Sequence, residues 1–143
     1  MKAMTNYIVK THKPGTVYAK PHFFVLNKGL NSGKPQKTPY VNCFVIQFST
    51  SEDCENFYWI SQSLWLSKFW HQFLKGSVIP FVTLDEFKKE FNSKSRELME
   101  DFEAHQKAVK ALRLLHKQEQ QFHANINLIN DLKRTILQRY CRK

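Results

Sequence analysis

The stretch Gly29-Leu-Asn-Ser-Gly-Lys-Pro35 sets two glycines and a lysine in an order that suggests phosphate binding. A P-loop needs four residues between its glycines and a Ser or Thr after the lysine. Here three residues lie between the glycines and Pro35 follows Lys34. A P-loop must also open a helix, so that backbone N–H groups and the helix dipole face the phosphate. Pro35 and Pro39 oppose an immediate helix. The segment is therefore expected to be a hairpin loop crowned by Lys28, Lys34 and Lys37, and a loop of that kind can clamp a phosphate backbone.

Other chemistry-bearing side chains assemble no reactive centre. His105, His116 and His123 are eleven and seven residues apart and share a helical face. Seven residues rise ~10.5 Å along a helix, too far for one metal ion, so solvated or stripe-edge histidines are expected. The cysteines, Cys43, Cys54 and Cys141, are odd in number and form no CxxC pair, which argues against a zinc site or a disulfide framework. Cys43 falls in an apolar run as an inert core thiol, and Cys141 lies near a basic terminus, where exposure is expected. No Ser/His/Asp or Cys/His set emerges from the spacing, so no catalytic residue, metal site, cofactor or small-molecule ligand is inferred.

Charge points to macromolecular partners. The 143-residue chain has a net charge of +10. Residues 1–50 hold seven lysines and no acid, residues 84–103 hold seven acids against four bases, and residues 104–143 hold nine bases against two acids. Basicity at both ends permits contact with nucleic acid or another acidic partner. Lys133, Arg134, Arg139, Arg142 and Lys143, with Leu132, Ile136, Leu137 and Tyr140, make a basic amphipathic helix end, although cations also favour helix C-termini for local reasons. A second cluster, Phe57, Tyr58, Trp59, Trp65, Phe69, Trp70 and Phe73, can stack bases, but at helical spacing it reads first as core. Tyr58 or Trp59 is expected on a partner-facing surface because so many rings are hard to bury on one helix.

The elements that must position these groups follow from periodicity. Hydrophobic content of 42% and aromatic content of 14% supply a core for one ordinary domain. No apolar run approaches the ~20 residues of a membrane span, and Met1 to Lys13 lacks a signal-peptide segment; a cytoplasmic protein with no membrane partner is expected. Tyr7–Val9, His22–Leu26 and Val41–Phe48 read as strands, with Thr16–Tyr18 as a further short strand and Pro14-Gly15 as a turn. Ser49-Thr50-Ser51-Glu52 reads as a capping box with the hydroxyl at Ser49 and glutamate three residues on. A helix over about 52–75 should follow, ending at Lys75-Gly76, with a break near 61–63 if the span is too long. Ser77–Val82 is an edge strand or extended link. Thr83-Leu84-Asp85-Glu86 is a second capping box, and Val82 and Phe87 form its hydrophobic staple.

From Thr83 to Lys143 there is no Gly or Pro. Apolar residues recur at Phe91, Leu98, Phe102, Val109 and Leu112, then at Leu115, Phe122, Ile126, Ile129, Ile136 and Tyr140, interrupted by Ser95, His105, Glu119 and Lys133. This is one long helix of up to ~58 residues, or a hairpin turning near Asn92-Ser93 or His123-Ala124-Asn125. A lone helix cannot bury such a stripe. The fold expected is α+β: a small antiparallel β-sheet packed on an aromatic helix, followed by a long C-terminal helix or helical hairpin, with residues 1–82 and 83–143 as its two parts.

Four segments carry a resemblance: Lys20-Pro-His-Phe-Phe-Val-Leu-Asn-Lys-Gly-Leu-Asn-Ser-Gly-Lys-Pro35, Asn42–Ile46, Tyr58-Trp-Ile with Ser63-Leu-Trp65, and Gly76–Phe81. Over roughly residues 20–90 the chain resembles a family of small uncharacterised proteins from Bacteroidetes genomes and their mobile elements. The resemblance implies a bacterial or phage cytoplasmic protein and supplies no activity and no functional residue.

Two functions follow as expectations. The first is a non-enzymatic basic accessory protein contacting nucleic acid through Lys28, Lys34, Lys37, Lys133, Arg134, Arg139 and Arg142. The alternative is an assembly protein forming a homodimer through Leu115, Phe122, Ile126, Ile129 and Ile136, with antiparallel helices preferred. An enzyme would instead require a deep pocket with convergent polar groups.

Overall fold

The computed structural model describes residues 6–142, the Phe102 side chain excepted. Residues 1–5 at the start of the expected first part, Lys143 of the C-terminal basic cluster, and the Phe102 side chain of the stripe lie outside the described residues.

The fold is α+β. Four strands, β1 (Tyr7–Thr11), β2 (His22–Leu26), β3 (Pro35–Gln36) and β4 (Cys43–Phe48), form an antiparallel sheet in the order β1-β4-β2-β3. Val9 faces Ile46 across β1–β4, Phe23 faces Ile46 and Val25 faces Phe44 across β2–β4, and Val25 faces Pro35 across β2–β3. Side chains alternate across a strand. Val9, Phe23, Val25, Phe44, Ile46 and Phe48 therefore share one face and enter the main core. Phe24, Cys43 and Val45 point to the other face, where Tyr18 and Leu26 cover them. Because both faces are covered, β2 and β4 read as near-continuous apolar runs instead of alternating ones. Thr16–Tyr18 is not a strand; Tyr18 serves as a lid on the second face, bonding through its hydroxyl to His12 Nδ1 at 2.9 Å. Strand β4 begins at Cys43, two residues later than expected, and Val41 is exposed.

Helix α1 (Ser51–Leu66) begins one residue later than the capping box placed it. Thr50 is the N-cap, its Oγ1 accepting from the Asp53 N–H at 3.2 Å. Phe57, Ile60 and Leu64 recur at helical spacing and enter the core. The helix does not run to Lys75, nor does it break at 61–63. It stops at Leu66, Lys68 takes up the left-handed region at φ 59°, and a 3₁₀ turn over Phe69–Phe73 carries Trp70 into the core. Gly76 is not a helix cap. It lies in a tight loop at φ 94°, where Lys75 and Phe81 exchange backbone hydrogen bonds at 2.8 and 2.9 Å.

Helix α2 (Leu84–Met99) starts as its capping box requires, with Thr83 Oγ1 accepting from the Glu86 N–H at 3.3 Å. Both staple residues, Val82 and Phe87, are buried. Phe87 stacks on Trp70 with centroids 4.8 Å apart and on Phe91 at 5.2 Å, and Tyr7, Phe48, Phe57 and Phe91 continue the aromatic core. Ser95 is buried on the same face and satisfied within the helix, donating to the Asn92 carbonyl at 3.2 Å.

Neither expected hairpin turn exists at 92–93 or 123–125. The break falls at Glu100–Asp101, and helix α3 runs from Phe102 to Cys141. Asp101 caps it, Oδ1 accepting from the Ala104 N–H at 3.2 Å. An aspartate N-cap starts a helix without help from Gly or Pro. The chain forms two compact units, one ending at His105 and the other beginning at Gln106.

Candidate functional site

The glycine loop is built by its own backbone. Gly29 at φ 86° and Gly33 at φ 95° let it double back between β2 and β3. The N–H groups of Gly29, Ser32, Gly33 and Lys34 donate to the carbonyls of Pro80, Gly29, Leu26 and Asn31 at 2.7 to 3.1 Å. Ser32 Oγ adds a bond to the Gly29 carbonyl at 2.6 Å. Four donors that a phosphate would need are thus engaged by carbonyls of the chain itself, and Pro35 opens a strand where a P-loop would open a helix. Gly33 also presses against Trp70: a Cβ there would lie 2.0 Å from the indole Cδ1.

The three loop lysines do not act as one cluster. Lys34 Nζ lies over the Trp65 ring at 5.0 Å from its centroid, and Lys37 Nζ over Tyr58 at 4.3 Å. Lys37 also reaches Glu55 at 3.6 Å, and Glu55 accepts from Trp59 Nε1 at 2.9 Å. These contacts tie the β3 edge to α1 through cation–π attraction and a charge-assisted network. They also give the α1 aromatics a structural use: Trp59 is buried and so is not a partner-facing ring, while Tyr58 is half-buried beneath Lys37. Lys28 remains exposed, beside an open cleft of about 260 Å³ that Tyr40, Val41 and Asn42 also line. Ligand pockets enclose ~300–1,000 Å³ and bury most of their ligand.

The second unit presents a different surface. Leu115 is 65% exposed, Phe122 63%, Ile126 53%, Ile129 51% and Ile136 65%. Leu112, which begins the same series, is half-buried. At 100° per residue these side chains fall on one face of α3. Lys110, Arg113, Lys117, Arg139 and Arg142 fall on the opposite side. Of the four basic residues expected to bind nucleic acid here, Lys133 lies on the apolar face and Arg134 reaches Asp131 at 3.4 Å. Arg139 and Arg142 join the opposite face, which includes Lys110, Arg113 and Lys117, three cations not singled out from sequence. Their common direction is legible only after the helix is known to be unbroken from 102 to 141.

Residues 9–139 match a family of unknown function, DUF6943. The chain belongs to this family. No curated protein and no solved structure matches it. The DUF6943 match extends well beyond the 20–90 region of the resemblance and takes in most of α3, so the exposed helix lies within the matched region.

In this DUF6943 member the titratable groups form no metal cluster among the described residues. All three cysteines are free thiols. Cys43 is buried, and burial pushes the Cys54 thiol up to about 11, against the opposing pull of Lys37. Cys141 is exposed. His105 is half-buried rather than solvated, and burial lowers its pKa while contact with the Asn56 backbone works the other way. No helix of the described residues is long and apolar enough to cross a membrane.

Proposed function

We propose that this protein is an assembly module that self-associates through α3, the sheet unit being the folded body that the helix joins to a second copy. One observation carries this reading: Leu115, Phe122, Ile126, Ile129 and Ile136 line one face of a regular helix and all are more than half exposed. Exposed apolar stripes of this size mark interaction sites. Burying the exposed remainder of each side chain is worth about 1–1.5 kcal/mol, so ten of them across two copies contribute roughly 10–15 kcal/mol. Association costs about 4–15 kcal/mol. With the gain at the upper end of its range and the cost in the lower half of its own, the net is about −8 kcal/mol, a reversible dimer with a Kd in the micromolar range. Three free thiols fit a protein kept in a reducing cytoplasm.

Sedimentation equilibrium tests the reading. The 17.0 kDa chain should sediment at twice its mass at ~50 µM, well above a micromolar Kd. Ile126→Asp and Ile129→Asp should return it to a monomer of unchanged thermal stability. A wild-type chain that stays monomeric under those conditions refutes self-association.

A second reading, contact with nucleic acid, is favoured by the alignment of Lys110, Arg113, Lys117, Arg139 and Arg142 opposite the stripe. Pairing through the apolar face leaves this basic face outward, where it can follow a phosphate backbone. Binding to DNA or RNA should weaken steeply with salt and fall when Arg139 and Arg142 are both changed to Ala. No binding at ~50 mM salt, where phosphate contacts are strongest, eliminates it.

A further inference from the structure

We propose that α3 pairs antiparallel with α3 of a second copy in one register, with Leu115 opposite Tyr140 of the partner subunit, Glu119 opposite the partner's Ile136, Phe122 opposite the partner's Lys133, and Ile126 opposite the partner's Ile129. The proposal rests on the self-association reading above and adds orientation and alignment to it.

The stripe itself supplies the grounds. From Leu115 it steps by four and three residues to Glu119, Phe122, Ile126, Ile129, Lys133, Ile136 and Tyr140, the spacing of a coiled-coil seam. Its two charged members, Glu119 and Lys133, are exposed, opposite in sign, and lie on opposite sides of the stripe's midpoint, which falls between Asn127 and Leu128. Reversing one stripe against another therefore brings the acid of each helix near the base of its partner. A parallel pair in register would set Glu119 against Glu119 of the partner subunit and Lys133 against Lys133 of the partner subunit, two like-charge layers within an apolar seam. In the antiparallel register the Glu119 carboxylate lies three residues along from the partner's Lys133, an axial offset of about 4.5 Å that a lysine side chain spans. The pair occurs twice by symmetry. Among the described residues Glu119 makes an exposed ion-pair contact with His116 at 3.6 Å, within its own helix.

The flanking positions agree. Arg139 runs beside Gln118 of the partner subunit, and His123 beside the partner's Asn130, so no like charges meet. The parallel alternative gains a Leu132 contact with the partner's Leu137, but two buried like-charge layers outweigh one exposed leucine pair. Sliding the helices by one heptad leaves Tyr140 or Leu115 without a counterpart. Moving toward the N-terminus offers only Leu112, which is already half-buried. The aligned register is the one that uses the whole exposed stripe.

Cys141 offers a direct measurement. It is the exposed thiol of the three, and the shielded Cys43 and the scarcely ionised Cys54 should not compete for a thiol-directed spin label at neutral pH. In the proposed register Cys141 lies opposite position 114 of the partner subunit, 27 residues from the partner's own label. Pulsed dipolar EPR on the full-length dimer should then give about 40 Å between labels. A distance below ~20 Å overturns the antiparallel orientation, and one near ~30 or ~50 Å overturns the register. A labelled chain that sediments as a monomer overturns the self-association reading beneath both. Charge exchange provides the second arm. Glu119→Lys alone and Lys133→Glu alone should each weaken the dimer roughly tenfold, and the double exchange should restore it. Single variants that leave the Kd unchanged refute the cross-helix pairs.

Discussion

Helices α2 and α3 are neighbours in sequence, contain no Gly or Pro, and both carry an apolar stripe, yet they end in opposite environments. Phe87 and Phe91 of α2 are 1% and 0% exposed, closed in by Phe44, Trp70, Phe57 and Tyr7. Phe122 and the isoleucines beyond it on α3 are open to solvent. The difference is not one of residue type or periodicity. A helix face is buried when a complementary surface of the same chain is within reach, and the sheet's main core face, on the side opposite Phe24, Cys43 and Val45, is of limited width. That face is taken by α1, the 3₁₀ turn and α2. An amphipathic pattern therefore announces a demand for burial without saying who meets it.

Gly33→Ala should break the buried side of the comparison most severely. The new Cβ would fall on the Trp70 ring, at a backbone φ of 95° that L side chains rarely adopt. Backbone strain and the displaced indole together should cost roughly 3–6 kcal/mol, read as a fall in urea midpoint. Near-wild-type stability would mean that Trp70 does not seal the loop. Phe91→Ala and Phe122→Ala form the sharper pair, one residue type truncated on two helices. Phe91→Ala should lose about 3–5 kcal/mol. Phe122→Ala should stay within ~0.5 kcal/mol of wild type in a monomeric unfolding experiment while weakening association. Equal losses at both positions would show that α3 is buried within its own chain.

Much of this contrast was legible in the residues. The α+β class, three of the four strands, the starts of α1 and α2 to within one residue, and the stripe on α3 follow from β-type runs, hydroxyl caps and helical spacing. Strand β3 was not, because a two-residue strand containing Pro35 exists only by pairing with β2. The end of α1 at Leu66 was missed because apolar spacing continues through Phe69 and Phe73, and only the left-handed Lys68 breaks it. The boundary between α2 and α3 is marked by Asp101, an N-cap residue, and not by the Gly or Pro that usually marks a helix break. The lysine pairings with Trp65, Tyr58 and Glu55 join residues about twenty to thirty positions apart, and no local pattern contains them.

Thr83→Ala tests whether α2 owes its place to its start or to its packing. The cap bond to the Glu86 N–H is partly buried, and losing it should cost about 1 kcal/mol, well below the Phe91 truncation. A loss comparable to that of Phe91→Ala would mean that the cap, and not the aromatic face, holds the helix against the sheet.

The smallest effect lies where the two regimes meet, at His105, the last residue of the first unit. Its imidazole is half-buried, Nε2 has no hydrogen-bond partner, and burial holds its pKa below the usual 6.5. The neutral ring is thus the form the fold accepts. As pH falls below about 6.5 the unfolded chain takes up the proton first. Stability contributed by this site is therefore present in full above that pH and is lost on acidification toward the lower folded-state pKa. Other histidines titrate in the same range, so the test is a difference: thermal midpoints of wild type and His105→Gln, measured from pH 7.5 to 5 on the full chain. Glutamine cannot take up a proton there, so any stability advantage of wild type should shrink steadily across that interval. A gap that stays constant would mean that His105 titrates alike folded and unfolded, and one that widens would mean that the fold favours the imidazolium. Either outcome would mean that burial does not set the protonation state of this imidazole.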